Sequence, residues 1–100
     1  MIKIENLRKG VYAVHKGVYG VHEPPDQTAI GFVVDTGTEQ EGDRTYRRFL
    51  LDVMVGGRHI RHGVRMVDGC ENEYESCAYA AVQALADYLE VINKEMNINE

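Results

Sequence analysis

Four histidines, two cysteines and a cluster of six arginines are the side chains in this 100-residue sequence with types and spacings that could do chemistry. His59 and His62 stand three apart. That spacing puts two imidazoles on one face of a helix, but in extended chain it sends them to opposite faces. His15 and His22 offer no third ligand, and zinc takes three or four convergent ones, so no metal site is expected. Cys70 and Cys77 match neither a CxxC redox motif nor a zinc knuckle and read as free thiols. Cys70 precedes a predicted helix whose dipole would favour a thiolate, yet Glu71, Glu73 and Glu75 oppose a second negative charge there. Ser76, Thr28, Thr36, Thr38 and Thr45 lie in no nucleophile elbow. Gly56-Gly57 is too short to cradle a phosphate and leads into no helix. The expectation is a chain that is not an enzyme and carries no cofactor.

Charge is the more informative chemistry. The formal net charge of -5 hides a segregation. Residues 1–43 hold four basic and seven acidic side chains, residues 44–66 hold six arginines against Asp52, and residues 67–100 hold Lys94 against eight carboxylates. A basic centre flanked by acidic ends points to recognition of a charged partner. The arginines could track phosphates, but no aromatic platform for stacking bases accompanies them, and the overall acidity opposes generic nucleic-acid binding.

The elements that must position these charges follow from periodicity. Gly10-Val11-Tyr12-Ala13-Val14-His15 is echoed by Gly17-Val18-Tyr19-Gly20-Val21-His22, and Lys16-Gly17 reads as the turn of a hairpin between them. That fold would pair Val14 with Tyr19 and Tyr12 with Val21 on one apolar face, leaving Val11, Ala13 and His15 on the other. Pro24-Pro25 interrupts the sheet, Thr28 to Asp35 is a strand, and the polar stretch Thr36 to Asp43 reads as an exposed loop. Arg44 to Val55 and Arg58 to Met66 form a second hairpin around Gly56-Gly57, pairing Val53 with Ile60, Leu51 with His62 and Asp52 with Arg61. Phe49, Leu51, Val53, Ile60 and Val64 then share a dry face, while Arg48, Asp52, Met54, His59, Arg61 and Arg65 share a basic one. Asn72 and Glu75 have capping-box spacing. Ala78, Val82, Leu85, Leu89, Ile92 and Met96 continue as one helical stripe from 72 to 96. Such a helix would overhang a five-stranded sheet if laid across its strands, which would leave the 74–96 stripe to a partner or a second copy; laid along the strands it would cover its own sheet.

The fold class expected is therefore α+β: one domain over 1–100, mainly β through residue 66, with an antiparallel sheet of about five strands (two hairpins plus a connecting strand) against one long C-terminal helix. No run is long and apolar enough for a bilayer, and residues 1–10 alternate apolar with charged groups instead of building a signal core, so a cytoplasmic protein of a bacterial or phage-infected cell is expected.

In size and layout the chain resembles the small accessory proteins of phages and mobile elements, the anti-CRISPR proteins among them. Many of those are single acidic domains of about this length, with a small antiparallel sheet, one or two helices and no catalytic motif. The resemblance spans the whole chain as architecture and transfers no functional residue. It implies a non-enzymatic inhibitor docking on a larger protein or ribonucleoprotein, such as a CRISPR effector. The candidate partner-binding residues are Arg48, His59, Arg61 and Arg65 on the basic face, with Glu90 and Glu95 on the outer helix face as carboxylates for a basic partner. Nucleic acid bound on the arginine face of residues 44–66 is the alternative.

Overall fold

Alternating apolar residues in five segments and a stripe of period 3.6 in a sixth meet in a two-layer fold. A computed structural model describes residues 2–16, 29–67 and 74–98. In chain order these form β1 (Ile2–Arg8), β2 (Val11–Lys16), β3 (Ala29–Glu41), β4 (Arg44–Val55), β5 (Arg58–Val67) and α1 (Tyr74–Ile98). The strands make one antiparallel sheet in sequential order, each paired with the next. One helix packs on one side of it, so the expected α+β class holds.

Two expectations about the strands need correction. The echo hairpin is not how β2 pairs. Tyr12 lies between Asn6 and Val33, and Val14 between Ile4 and Gly31, so both edges of β2 are taken by β1 and β3. Residues 17–22 lie outside the described residues. The face assignment nevertheless survives, since Tyr12 and Val14 are buried in the core. Which face a strand residue takes is set by its own period of two, whichever strand sits alongside.

The second correction concerns Thr36 to Asp43, read as an exposed loop. β3 continues through it to Glu41, and only Gly42-Asp43 turns the chain into β4. Thr38, Glu39, Gln40 and Glu41 pair with Arg47, Tyr46, Thr45 and Arg44. The sheet narrows here to three strands at Thr38 and Glu39 and to a two-stranded ribbon at Gln40 and Glu41, with little to bury, so its polar composition resembled a loop while its backbone completed a ladder. The β4–β5 hairpin keeps the expected register, Val53 with Ile60, Leu51 with His62 and Asp52 with Arg61. Gly56 and Gly57 both take positive φ, 55° and 79°, as a tight two-residue hairpin turn demands.

The core lies between the sheet and α1. Phe49, Leu51, Val53, Val14 and Val33 from the sheet, with Leu85 and Leu89 from the helix, are its largest fully buried side chains. Each such burial contributes about 1.5–3 kcal/mol. Ala78 and Ala81 let the helix approach closely, both fully buried. Along one flank of α1, Glu75, Tyr79, Val82, Gln83 and Ala86 line a cleft with Ile2, Ile4, Asn6 and Tyr12. Further along, Glu90 Oε1 accepts a 2.5 Å hydrogen bond from the Ile2 amide. On the other flank Tyr88 stacks on His62 of β5, ring centroids 4.0 Å apart. A helix that follows β1 over this length runs along the strands, and its apolar stripe is spent on its own sheet. The Asn72 half of the capping box and the side chain of Met96 lie outside the described residues.

A polar knot fixes the start of the helix. The Asp35 carboxylate accepts hydrogen bonds from the Tyr74 hydroxyl at 2.7 Å, the Arg47 guanidinium at 2.8 Å and the Gly37 amide at 2.7 Å. The Asp35 amide donates to the Gly10 carbonyl at 2.8 Å. Donors from α1, β4 and β3 itself thus converge on one carboxylate, and the backbone of the same residue ties in Gly10.

Candidate docking surface

With α1 on one side, the sheet turns its other face outward. Strand register assembles that face row by row. One row runs Glu5, Ala13, Phe32, Asp52, Arg61 across β1 to β5, and the next runs Arg8, Val11, Val34, Leu50, Gly63. Toward the hairpin end, Arg48 pairs with Arg65, and Tyr46 lies between Glu39 and Val67. At the opposite end Met54 pairs with His59, and Lys3 with His15. The centre is apolar, yet Phe32 is 44% exposed, Val34 38% and Met54 50%. Charged side chains ring it.

The expected site residues divide between two places. Arg48, His59, Arg61 and Arg65 share the open face, all exposed. Glu90 and Glu95 lie on α1, on the far side of the sheet. Glu90 is half-buried and holds the Ile2 amide, so it contributes to the β1–α1 contact. Glu95 is exposed.

The arginine face also proves less basic than residues 44–66 suggest. Arg65 bonds Glu41 at 2.7 Å and Glu39 at 3.2 Å, and its guanidinium lies over the Tyr46 ring. The Glu41 and then the Glu39 hydrogen bond push the Arg65 pKa above its usual value. Asp52 holds the His59 ring at 2.5 Å and the Arg61 guanidinium at 3.4 Å. Glu5 stands 3.4 Å from His15. Carboxylates thus stand beside Arg65, His59, Arg61 and His15 on this face. Glu39 and Glu41 reach it because β3 extends through the stretch read as a loop, which no local charge count could reveal.

His59 and His62 fall on opposite faces, one beside Asp52 and the other stacked on Tyr88. Among the described residues no group of three or more His, Cys, Asp and Glu side chains converges to hold a metal ion. Cys77 is half-buried in α1, while His22 and Cys70 lie outside the described residues.

The Asp35 knot is the densest polar cluster in the described structure, and sequence reasoning did not anticipate it. Burial pushes the Asp35 carboxyl up, but hydrogen bonds from Tyr74, Gly37 and Arg47 outweigh this and hold it below the usual carboxylate value. Burial first, and then Asp35 itself, push the Tyr74 hydroxyl far above its usual value. Each group is locked in its ordinary neutral-pH form. The knot anchors the helix. Tyr12, facing the β1–α1 cleft of about 510 Å³, is likewise pushed up, by burial and then by Glu75 and Asp35.

No helix among the described residues is long and apolar enough to cross a membrane. Comparison with known proteins finds no matching family model, no matching curated sequence and no matching solved structure. Function must be argued from the chain's own surface.

Proposed function

We propose that this chain is a non-catalytic protein-binding domain that docks through the open face of its sheet. One observation carries the reading: Phe32 and Val34 stand exposed at the centre of a face whose rim is charged, with Met54 exposed toward one end, although a core exists on the other side. An apolar centre with a polar, arginine-bearing rim is the anatomy of a protein interface. The interleaved carboxylates support a protein partner over a nucleic acid, because Glu39, Glu41 and Asp52 would face phosphates. The resemblance in architecture suggests, as partner class, a bacterial nucleic-acid-processing machine inhibited by docking.

The test compares tagged wild-type chain with Phe32→Asp and with Arg48→Glu/Arg61→Glu as baits in nuclease-treated bacterial lysate. A discrete protein retained by wild type and lost by both folded variants is the expected result. Equal retention by all three moves docking away from this face. Loss of all retained material on nuclease treatment turns the assignment to nucleic acid, and binding should then fall steeply with salt.

A further inference from the structure

We propose that the cleft between β1 and α1 binds a small amphiphilic amine, a primary ammonium group carried on an aromatic or branched aliphatic body. The site lies on the helix side of the sheet, apart from the open face, and does not rest on the docking role. Every residue that lines the cleft is among those described. Its volume of about 510 Å³ is that of a small-ligand pocket. Topology sorts the lining into two ends. Glu90 holds the Ile2 amide beyond Ala86, the last helical residue of the lining, so earlier helical residues lie toward Asn6. Asn6 and Tyr12, which are cross-strand partners, therefore share one end with Glu75 from the first turn of α1. Ile2, Ile4, Val82 and Ala86 make the other end, and it is apolar.

The polar end holds groups whose bonding capacity is unspent. Tyr12 is only 7% exposed, yet no described group hydrogen-bonds its hydroxyl. A hydroxyl that deep normally has a partner, and Tyr12 lines the cleft, so a molecule seated there is within its reach. Glu75 is exposed, has no hydrogen-bond or ion-pair partner among the described residues, and is the one charged residue of the lining. Asp35, the other carboxylate acting on Tyr12, is already matched by Arg47 at 2.8 Å. Lys9, the other cation nearby, lies over the Tyr74 ring. The uncompensated charge at this end is therefore negative.

These features define the ligand. An ammonium carries three donors, and the polar end offers three acceptors in the Tyr12 hydroxyl, the Glu75 carboxylate and the Asn6 side-chain carbonyl. Tyr79, one helical turn after Glu75 and 71% exposed, adds an aromatic face that favours a cation. Gln83 directs its amide nitrogen to Asp87 at 3.1 Å and so brings no donor to the cleft. From Asn6 to Ile2 the strand spans about 13 Å at ~3.3 Å per residue, enough for an ammonium and one ring or branched chain. An anionic ligand would set its charge beside Glu75, and a neutral one would leave that carboxylate unmatched.

Amide-resolved NMR of the full chain at neutral pH, titrated with phenethylamine, tests this, with circular dichroism to confirm that variants fold. Saturable shifts are expected at Ile4, Asn6, Tyr79 and Val82 and none at Phe32 or Val34, with a Kd of about 1 mM or tighter. Phenethyl alcohol, the neutral isostere, should bind about tenfold more weakly, on the scale of a lost charge-assisted hydrogen bond, and hydrocinnamate more weakly still. Glu75→Gln changes an exposed residue and should lower amine affinity about tenfold while leaving the alcohol's unchanged. Damage to the fold would not separate the two ligands in that way. Ala86→Trp fills the apolar end and should abolish binding of both. A titration that does not saturate by about 10 mM overturns the inference. So do shifts centred on another surface, equal affinity for amine and alcohol, or amine binding indifferent to Glu75→Gln. The lysate test of the open face changes other residues, so either proposal can fail alone.

Discussion

Phe32 and Val33 are consecutive residues of one strand, yet the first is 44% exposed and the second fully buried. The same contrast runs across the whole sheet. On the helix side, the rows Ile4, Val14, Gly31, Val53, Ile60 and Asn6, Tyr12, Val33, Leu51, His62 are covered by α1 at their centres, while Asn6 is exposed at the β1 edge beside the cleft. On the open side, the intervening rows carry an apolar centre and a rim of paired charges with nothing from the described chain above them. Hydrophobic residues therefore serve two ends here. On one face they hold the fold together, and on the other they stand exposed, as the proposed docking role requires. The difference should appear as separable effects, on stability for one face and on binding for the other.

The largest effect belongs to the sealed face. Phe49→Ala should cost about 3–5 kcal/mol in urea unfolding, since it leaves a cavity under a helix that cannot collapse into it. Phe32→Ala, the same chemical change on the open face, should cost the monomer less than about 1 kcal/mol, as surface substitutions do. Similar losses at the two positions would mean the open face is covered within the chain.

Glycines sharpen the contrast. A β-carbon at Gly31 would sit 2.5 Å from Val53 Cα and 2.7 Å from Val53 Cγ1, inside the β3–β4 ladder. Gly31→Ala should therefore destabilise by about 1–3 kcal/mol or more, as overpacking against backbone does. Gly63→Ala on the open face should be neutral or slightly stabilising, because glycine weakens a strand interior.

A smaller effect tests how the sealed face is anchored. Tyr74→Phe removes one hydrogen bond to the Asp35 carboxylate and should cost about 1–2 kcal/mol at neutral pH. The pH dependence has a definite sign. Asp35 is held below its usual value, so its contribution is present above about pH 4 and is lost as pH falls through the lowered pKa. Tyr74 is held above its usual value, so its contribution is present below about pH 10 and declines as pH rises beyond that. Denaturation midpoints at pH 3, 7 and 10.5 should thus depend less on pH in Tyr74→Phe. Some alkaline loss should remain through Tyr12, which is raised in the same direction.

The smallest effect lies back on the open face. Asp52, His59 and Arg61 are each about half exposed, so Asp52→Asn should change stability by less than about 0.5 kcal/mol despite breaking two ion pairs. A larger loss in thermal melts would show that the face is drier than a single chain makes it.

Much of this division was legible in the residues. The alternation in Arg44–Val55 and Arg58–Val67 separates Phe49, Leu51, Val53 and Ile60 from Arg48, Met54, Arg61 and Arg65, and the glycine pair between the strands sets their register. The stripe from Ala78 to Ile92 identifies the buried side of α1. β1 was within reach too, because Ile2 and Ile4 alternate with Lys3 and Glu5, a half-buried strand pattern. The echo in residues 10–22 obscured it: two similar β-prone runs a turn apart form a stronger local signal than a pairing with the preceding segment. The polar end of β3 was hidden for the opposite reason. A ribbon held by backbone hydrogen bonds leaves no apolar period to read.

Local periodicity by itself determined the β4–β5 hairpin, the helix and which of their side chains share a face, because these depend on backbone geometry over a few residues. Only the tertiary structure decided which strands flank β2, that Glu39 and Glu41 neutralise Arg65, and that Tyr74 closes on Asp35, 39 residues away. It also decided that a single helix, running along the strands, covers one side of a strand that is apolar on both. These outcomes depend on how distant segments meet, and that is set by the joint packing of the whole chain.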